Sequence, residues 1–540
     1  MSGLVWSVDS LIIKDNVVFG FGWAFHEQQE IVSARIRLVC QDTEATQAIG
    51  ADVGKLREDV GHAFPGQARA SNSGFVVFGA YQGAALTDVF LDVTLADGAV
   101  VEAQIPASKF VMASDARTAS HRGAALQQFR TLARRAFGLV KAMKFRSLVE
   151  KTRRYLKGRP RAALTHPSQL GGYFRQSELD TLCLIVDHDL GGGANHYRAR
   201  LVDEMIAHGA SVIILSFHVA TLTHVLILRN RRLDVRLAVP SKSFLVEAVS
   251  SMPVKEVIYN TAVSFARPEE IPELLLSVKY RTGARLKVLA HDFYVACPSH
   301  FLIDASGKYC GAPDLSVCRT CLPANPHGFA TLFAARDIGT WRDLWGAMLA
   351  GADEIVAFSQ STADILCQIY PQISQAQVAV VPHDTTYLRK GELHVSNTQQ
   401  LRIGVVGQIG FHKGSAFVKA LAAEIKRRQS DIKIVVIGTI ESNCDTDVVQ
   451  QTGPYAHDEL PDLIVRSGAN TMLFPSIWPE TFSFVVQELM DLHLPVAAFD
   501  FGAPAERLAI YDKGCVLDSM NPAAVLDQLI SFHRKTYLAS

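Results

Sequence analysis

The residues best suited to chemistry lie in one run, Phe474-Pro475-Ser476-Ile477-Trp478-Pro479-Glu480-Thr481-Phe482-Ser483-Phe484-Val485-Val486-Gln487-Glu488. An apolar strand, Thr471–Phe474, leads into it, and a helix is predicted from Ser483 to His493. Glu480 then stands in the loop at the carboxyl end of a strand, and Glu488 within the first two helical turns. The backbone N–H groups of Thr481, Phe482 and Ser483 lie between them. Carboxylates accept hydrogen bonds from sugar and ribose hydroxyls, while unpaired N–H groups and the helix dipole receive a diphosphate. The combination suits a sugar nucleotide. Two glutamates eight apart are more often a solvated surface, but placement at the end of a buried strand argues against that here.

Two further clusters could act. The strand Leu182–Val186 runs into Asp187-His188-Asp189-Leu190-Gly191-Gly192-Gly193 and then a helix. Three glycines let a ligand approach the backbone closely, next to a helix N-terminus that favours anions. The pattern is not G-x-G-x-x-G, and a plain tight turn explains it equally. Cys297, Cys310, Cys318 and Cys321 form the other cluster. Cys318-x2-Cys321 has the bite of two tetrahedral zinc ligands. A structural zinc ion stands about even against a redox disulfide or buried thiols.

These residues need elements to position them. The chain has 540 residues, 49% hydrophobic and 20% charged, enough for roughly three to four packed domains. Lys+Arg and Asp+Glu are 53 each, so bulk charge does not draw it to nucleic acid. Nine cysteines make no disulfide scaffold, Met1–Asp9 is no secretory signal, and no apolar run reaches membrane-spanning length. The expectation is a cytoplasmic protein.

Residues 1–110 read as short alternating strands punctuated by Gly, Asp and Asn, which predicts a small antiparallel β-sandwich-like accessory domain. Residues 111–178 read as a basic helical linker. Between Phe129 and Arg161 stand twelve bases and one acid, Glu150. Such a helix can lie peripherally on an anionic membrane surface, or it can pack one face on a neighbour and solvate the other. From Leu179 the pattern alternates strand and helix, pauses at the polar Gly391–Gln400, and resumes. That predicts an α/β fold of two doubly wound Rossmann-like domains, 179–395 and 396–540, with ligand-facing loops at the strands' carboxyl ends.

With these motifs in order, the chain resembles the retaining glycosyltransferases of family four (glycosyltransferase group 1), whose fold is GT-B. The resemblance rests on Pro475-Ser476, Glu480-x7-Glu488, Leu494-Pro495-Val496, Phe501-Gly502-Ala503-Pro504-Ala505-Glu506, Gly191–Gly193, His291-Asp292, the Ser359 turn and Gly453-x-Tyr455. It covers Leu179 to the C-terminus. It implies transfer of a sugar from a nucleotide-sugar donor to a polysaccharide or lipid-linked glycan acceptor, in surface polysaccharide synthesis. No cofactor is required for that catalysis.

By the same resemblance, 179–395 is the acceptor domain and 396–540 the donor domain. Glu480 contacts hydroxyls of the transferred sugar, Glu488 holds the ribose, Lys413 grips the diphosphate, and His291 lies near the reacting sugar. Thr481, Phe482, Ser483 and Gly191, Gly192, Gly193 join the donor site. The family's phosphate-binding arginine is absent from Gly407-Gln408-Ile409, a loss that His412 partly fills. The Val-Pro-Asn-Gly turn is Val381-Pro382-His383-Asp384, and the usual long return helix is expected to be short or absent. A carbohydrate-binding scaffold that kept the fold, or a sugar-nucleotide epimerase, are the alternatives.

Overall fold

The computed structural model describes residues 3–41, 43–82, 86–113, 162–373, 375–388, 390–395 and 398–538. The basic stretch Phe129–Arg161 lies outside the described residues. The chain divides into two compact units. The first holds Met1–Val288, Cys297–His300 and Leu315–Asp353, and the second Leu289–Ala296, Phe301–Asp314 and Glu354–Ser540. The β-rich N-terminal region and the α/β segment after it therefore share one unit.

The first unit opens with β1 (Leu4–Lys14), β2 (Val17–His26), β3 (Ile31–Cys40), β4 (Thr43–Lys55), β5 (Gly74–Ala80), β6 (Leu86–Leu95), β7 (Val100–Gln104) and β8 (Val111–Ala113). They form one hydrogen-bonded sheet in the order β7-β6-β3-β4-β5-β2-β1-β8, the β-rich domain expected of this region. Alternate residues such as Leu11, Ile13, Val18, Leu38 and Leu91 share one core, because side chains alternate faces along each strand. The sequence hid β4, whose Thr, Glu, Gln, Asp and Gly residues blur that alternation. β1 and β2 meet at Asp15-Asn16, with φ of 50° and 62°. Asp and Asn tolerate this left-handed geometry, which matches the twist of the flanking strands.

The rest of that unit is built on β9 (Ala162–Ala163), β10 (Leu182–Val186), β11 (Ser211–His218), β12 (Thr223–Arg229), β13 (Asp234–Val239), β14 (Glu256–Tyr259) and β15 (Arg285–Ala290), whose last two residues belong to the second unit. The order is β15-β14-β10-β11-β12-β13-β9. β10, β11, β14 and β15 are parallel, but β12 runs antiparallel to both β11 and β13. The sheet is therefore mixed, and the strict strand–helix alternation expected there is broken by this hairpin. The turn into β12 is made by Leu222 at φ 49°, so neither Gly nor Pro announces the hairpin in the sequence.

The second unit contains the parallel pair β16 (Glu354–Ala357) and β17 (Val378–Val380). It also contains β18 (Arg402–Ile409), β19 (Lys433–Ile440), β20 (Val449–Gln451), β21 (Thr471–Phe474), β22 (Val496–Phe499) and β23 (Gly514–Leu517). These six form a parallel sheet in the order β20-β19-β18-β21-β22-β23. Val405 packs on one face with Leu421 of helix Ser415–Arg427 and Leu529 of helix Pro522–Tyr537. Its neighbour Val406 packs on the other with Ile464 of helix Leu460–Ser467 and Leu489 of helix Phe484–Asp491. Two apolar faces explain why these strands read as continuous hydrophobic runs. This part is doubly wound, as predicted. Among the described residues no helix is long and apolar enough to cross a membrane.

Candidate functional site

In the second unit the ends of β18, β21 and β22 bring three loops together. After β18, Phe411–Lys413 forms a single tight turn and Gly414 follows at φ 81°. A side chain on Gly414 would overlap the carbonyl of Pro475, so glycine lets the lysine loop lie directly on the loop after β21. Ile477 N–H then donates to the His412 carbonyl at 3.1 Å. From the other side, a Cβ on Gly502 (φ 70°) would stand 2.6 Å from Pro479 Cα, and Ala503 N–H donates to the Glu480 carbonyl at 2.9 Å. The Glu480 loop is thus clasped between two glycine contacts.

Glu480 is half-buried, and Ser476 Oγ donates to its Oε1 at 3.2 Å. Burial pushes its carboxyl above the usual range, while the Lys413 charge and hydrogen bonds from Ser483 and Ser476 draw it back. Lys413 and Glu480, predicted as a functional pair, are therefore close enough to feel each other. Ser483 has φ 67°, a strained value for a residue with a Cβ. Its Oγ accepts from Val486 N–H at 3.4 Å and caps helix Phe484–Asp491.

Arg507 holds that turn. Its Nη1 donates to the carbonyls of Phe482 at 2.8 Å and Ser483 at 3.3 Å, its Nη2 donates to Gln487, and the guanidinium lies 4.5 Å over the Phe482 ring. Burial lowers its pKa to about 10. Sequence reasoning missed Arg507. The only signal was its position directly after the Glu506 that closes the small-residue loop. Glu506 itself accepts from the Gln360 and Ser361 N–H groups at 3.2 and 2.9 Å, at the start of helix Gln360–Ile369.

Glu488 is buried on the second turn of its helix. Desolvation, with help from Asp491, raises it to about 7. His457 Nε2 stands 3.0 Å from its Oε1, and its charge, together with burial, lifts Tyr455 to about 12. Glu488 thus faces the loop after β20.

His291 directly follows β15 and belongs to the same unit. Its ring stacks on Phe358 at 4.5 Å, Phe358 on His383 at 3.8 Å, and His383 meets Phe482 edge-on at 4.8 Å. Thr481 Oγ1 donates to the His291 carbonyl at 2.9 Å. The structure so joins His291, Thr481, Phe482 and Ser483 to the Glu480 loop. His412 stacks on Phe301 at 4.4 Å, and Phe301 meets Trp478 at 4.7 Å.

Gly191, Gly192 and Gly193 belong to the first unit. The first two have φ of 90° and 91°, and Gly193 starts helix Gly193–Ala207. Asn195 braces this turn, accepting from Gly191 N–H at 2.6 Å and donating to Asp187 Oδ2 at 2.7 Å. Arg198 pairs with Asp187 at 3.0 Å. Burial still pushes Asp187 up to about 6 and His188 down to about 4.

Cys297, Cys310, Cys318 and Cys321 are the cysteines for which a structural zinc ion was expected. Among the described residues no group of three or more His, Cys, Asp or Glu side chains is gathered to hold a metal. Cys318 and Cys321 share helix Leu315–Ala324. Arg342 Nη2 donates to Cys318 Sγ at 3.4 Å, and Asn325 Nδ2 to Cys321 Sγ at 3.6 Å. Protein groups thus serve these thiols. Cys297 lies in the first unit and Cys310 in the second.

Residues 392–536 match the family model of glycosyl transferases group 1. No curated protein matches the chain. Among solved structures it is similar to sucrose-phosphate synthase from Thermosynechococcus elongatus, with 14% identity over 66% of this chain and 94% of that one and a TM-score of 0.41. It is also similar to Anabaena HepE in complex with UDP and glucose, with 14% identity over 66% and 90% and a TM-score of 0.39. A third is the catalytic domain of starch synthase IV from Arabidopsis thaliana bound to ADP and acarbose, with 10% identity over 67% and 92% and a TM-score of 0.39.

Proposed function

We propose that the protein is a retaining glycosyltransferase whose segment 392–536, the part matching glycosyl transferases group 1, binds a nucleotide-sugar donor. The observation that carries this reading is the clasped pair of loops presenting Lys413 and Glu480. Lys413 offsets the charge that gathers on the departing diphosphate, and Glu480 orients hydroxyls of the sugar. Such fixed charges act strongly where water is excluded. Glu488 accepts from the ribose, and His291, held through Thr481, borders the reacting carbon. The acceptor is a polysaccharide or lipid-linked glycan, with no metal in the transfer step.

The excess of bases in Phe129–Arg161 supports peripheral attachment to an anionic membrane from the cytoplasmic side, where a lipid-linked acceptor would be concentrated. The test is incubation of purified protein with UDP-, GDP- and ADP-sugars and mixed oligosaccharides. Release of nucleoside diphosphate together with a lengthened glycan of unchanged anomeric configuration is expected. An inverted product would overturn retention. Sugar interconversion without diphosphate release would point to an epimerase, and binding without turnover to a scaffold.

A further inference from the structure

In the first unit the eight-stranded sheet docks on the carboxyl rim of the α/β sheet. Lys14 Nζ donates to the Leu222 carbonyl at 3.2 Å, in the turn from β11 to β12. Arg267 Nη2 donates to the Asp15 carbonyl at 3.4 Å, from the loop that leaves β14. A third contact comes from the stretch after β15, where Thr331 Oγ1 donates to the Phe78 carbonyl at 2.7 Å and Phe329 meets Phe78 edge-on at 6.4 Å.

β11 and β14 flank β10, where the strand order reverses. In open α/β sheets ligands lie outside the carboxyl ends at such a reversal. The β1–β2 turn therefore touches the loops on both sides of the position where a ligand of this sheet belongs. Two residues in those loops, Leu222 and Ser264, hold φ of 49° and 72°, and strain in residues with a Cβ concentrates at functional positions. The hydroxyls of Ser264 and of Ser216 on β11 are buried with no partner, a further sign that this rim is not arranged for stability alone. At the tip, Asp15 is exposed and Asn16 half-exposed. Carboxylate and amide are groups that bind sugar hydroxyls.

We propose that the N-terminal β domain forms a wall of the acceptor site, with Asp15 and Asn16 contacting sugar units beyond the one that reacts. From β14 to β12 is three strand spacings, about 14 Å, longer than one hexose ring, so the acceptor is an oligosaccharide. This rests on the glycosyl-transfer reading and names the acceptor class within it.

The test uses the full chain and an Asp15→Gly, Asn16→Gly double variant, which removes both side chains while glycine keeps the left-handed turn. Binding of malto-, cello-, chito- and manno-hexaose, and of the corresponding monosaccharides, is measured by saturation-transfer NMR and calorimetry. Wild type should bind at least one hexaose. The variant should bind it about fivefold more weakly, the loss expected for one or two hydrogen bonds. Its monosaccharide signal, UDP binding and melting temperature should be unchanged. Asp15→Lys, a surface substitution compatible with folding, should show the same selective loss. Equal hexaose affinity in all three proteins, an equal loss for the monosaccharide, or no hexaose binding by wild type would each overturn the proposal. Nucleotide-sugar turnover by wild type is read separately, so failure of the transfer reading is distinguished from failure of the wall.

Discussion

The hydroxyl of Thr481 donates to the carbonyl of His291 across 190 residues of sequence, at 2.9 Å. One bond thereby ties the end of a strand from the middle of the chain to the loop that presents Glu480. Because Thr481 follows Glu480 directly, any movement of His291, the residue after β15, reaches the carboxylate through a single peptide. Thr481→Val, which removes the hydroxyl but keeps the shape, should lower kcat about tenfold with the melting temperature little changed. Activity equal to wild type would show that the tie does not position Glu480.

Glu480→Ala and Lys413→Ala should each reduce diphosphate release about a hundred- to thousandfold, the usual cost of losing one charge-stabilising contact at a leaving group. Circular dichroism should show both variants folded. Near-wild-type turnover by either would remove its assigned role.

Gly414→Ala should be more damaging than its size suggests. The new methyl would meet the Pro475 carbonyl at a φ of 81° that alanine tolerates poorly. A loss of about 1–3 kcal/mol in stability is expected, read by chemical denaturation, with donor binding abolished as the lysine loop lifts away. Intact nucleotide binding would mean that the two loops function apart.

The Glu488 carboxyl, raised in the fold from 4.5 to about 7, makes stability fall with rising pH. Below its unfolded value it is protonated in both states and its burial carries no charge penalty. As pH rises from about 4.5 through about 7, the unfolded chain releases the proton first, so up to about 3 kcal/mol of stability is lost. Glu488→Gln should flatten melting temperature against pH across that window. An unaltered slope would assign the pH dependence to other groups.

Arg507→Lys should fail to restore what Arg507→Ala removes. Lysine keeps the charge but not the fork that serves the carbonyls of Phe482 and Ser483 together. Both variants should lose about 1–3 kcal/mol of stability and raise the donor KM. Full rescue by lysine would reduce Arg507 to a point charge.

Much of the second unit was legible because its central strands β18, β19, β21 and β22 are buried on two faces, which leaves apolar runs leading to Lys413, Glu480 and Gly502. Parts of the site were not legible. Arg507 acts on backbone carbonyls, and no side-chain spacing records such contacts. The His291, Phe358 and His383 rings meet through folding alone. In the first unit, β12 and β13 escaped because Leu222 turns the chain without a turn residue, and β4 because its inward residues, Ile49, Ala51 and Val53, are few and lie between small and polar ones.

The second unit draws Leu289–Ala296, Phe301–Asp314 and Glu354 onward from the chain, whereas the matched family segment begins only at residue 392. That segment therefore packs against stretches of the chain that precede it. Cut out alone, it would bare Phe482 and Trp478 where His383 and Phe301 now cover them, and leave Glu506 without the helix start it caps. During synthesis, the stretches that complete this unit leave the ribosome long before the sheet they complete. They must wait, partly uncovered, for about a hundred further residues, an interval in which a chaperone rather than a ligand would be their natural first companion.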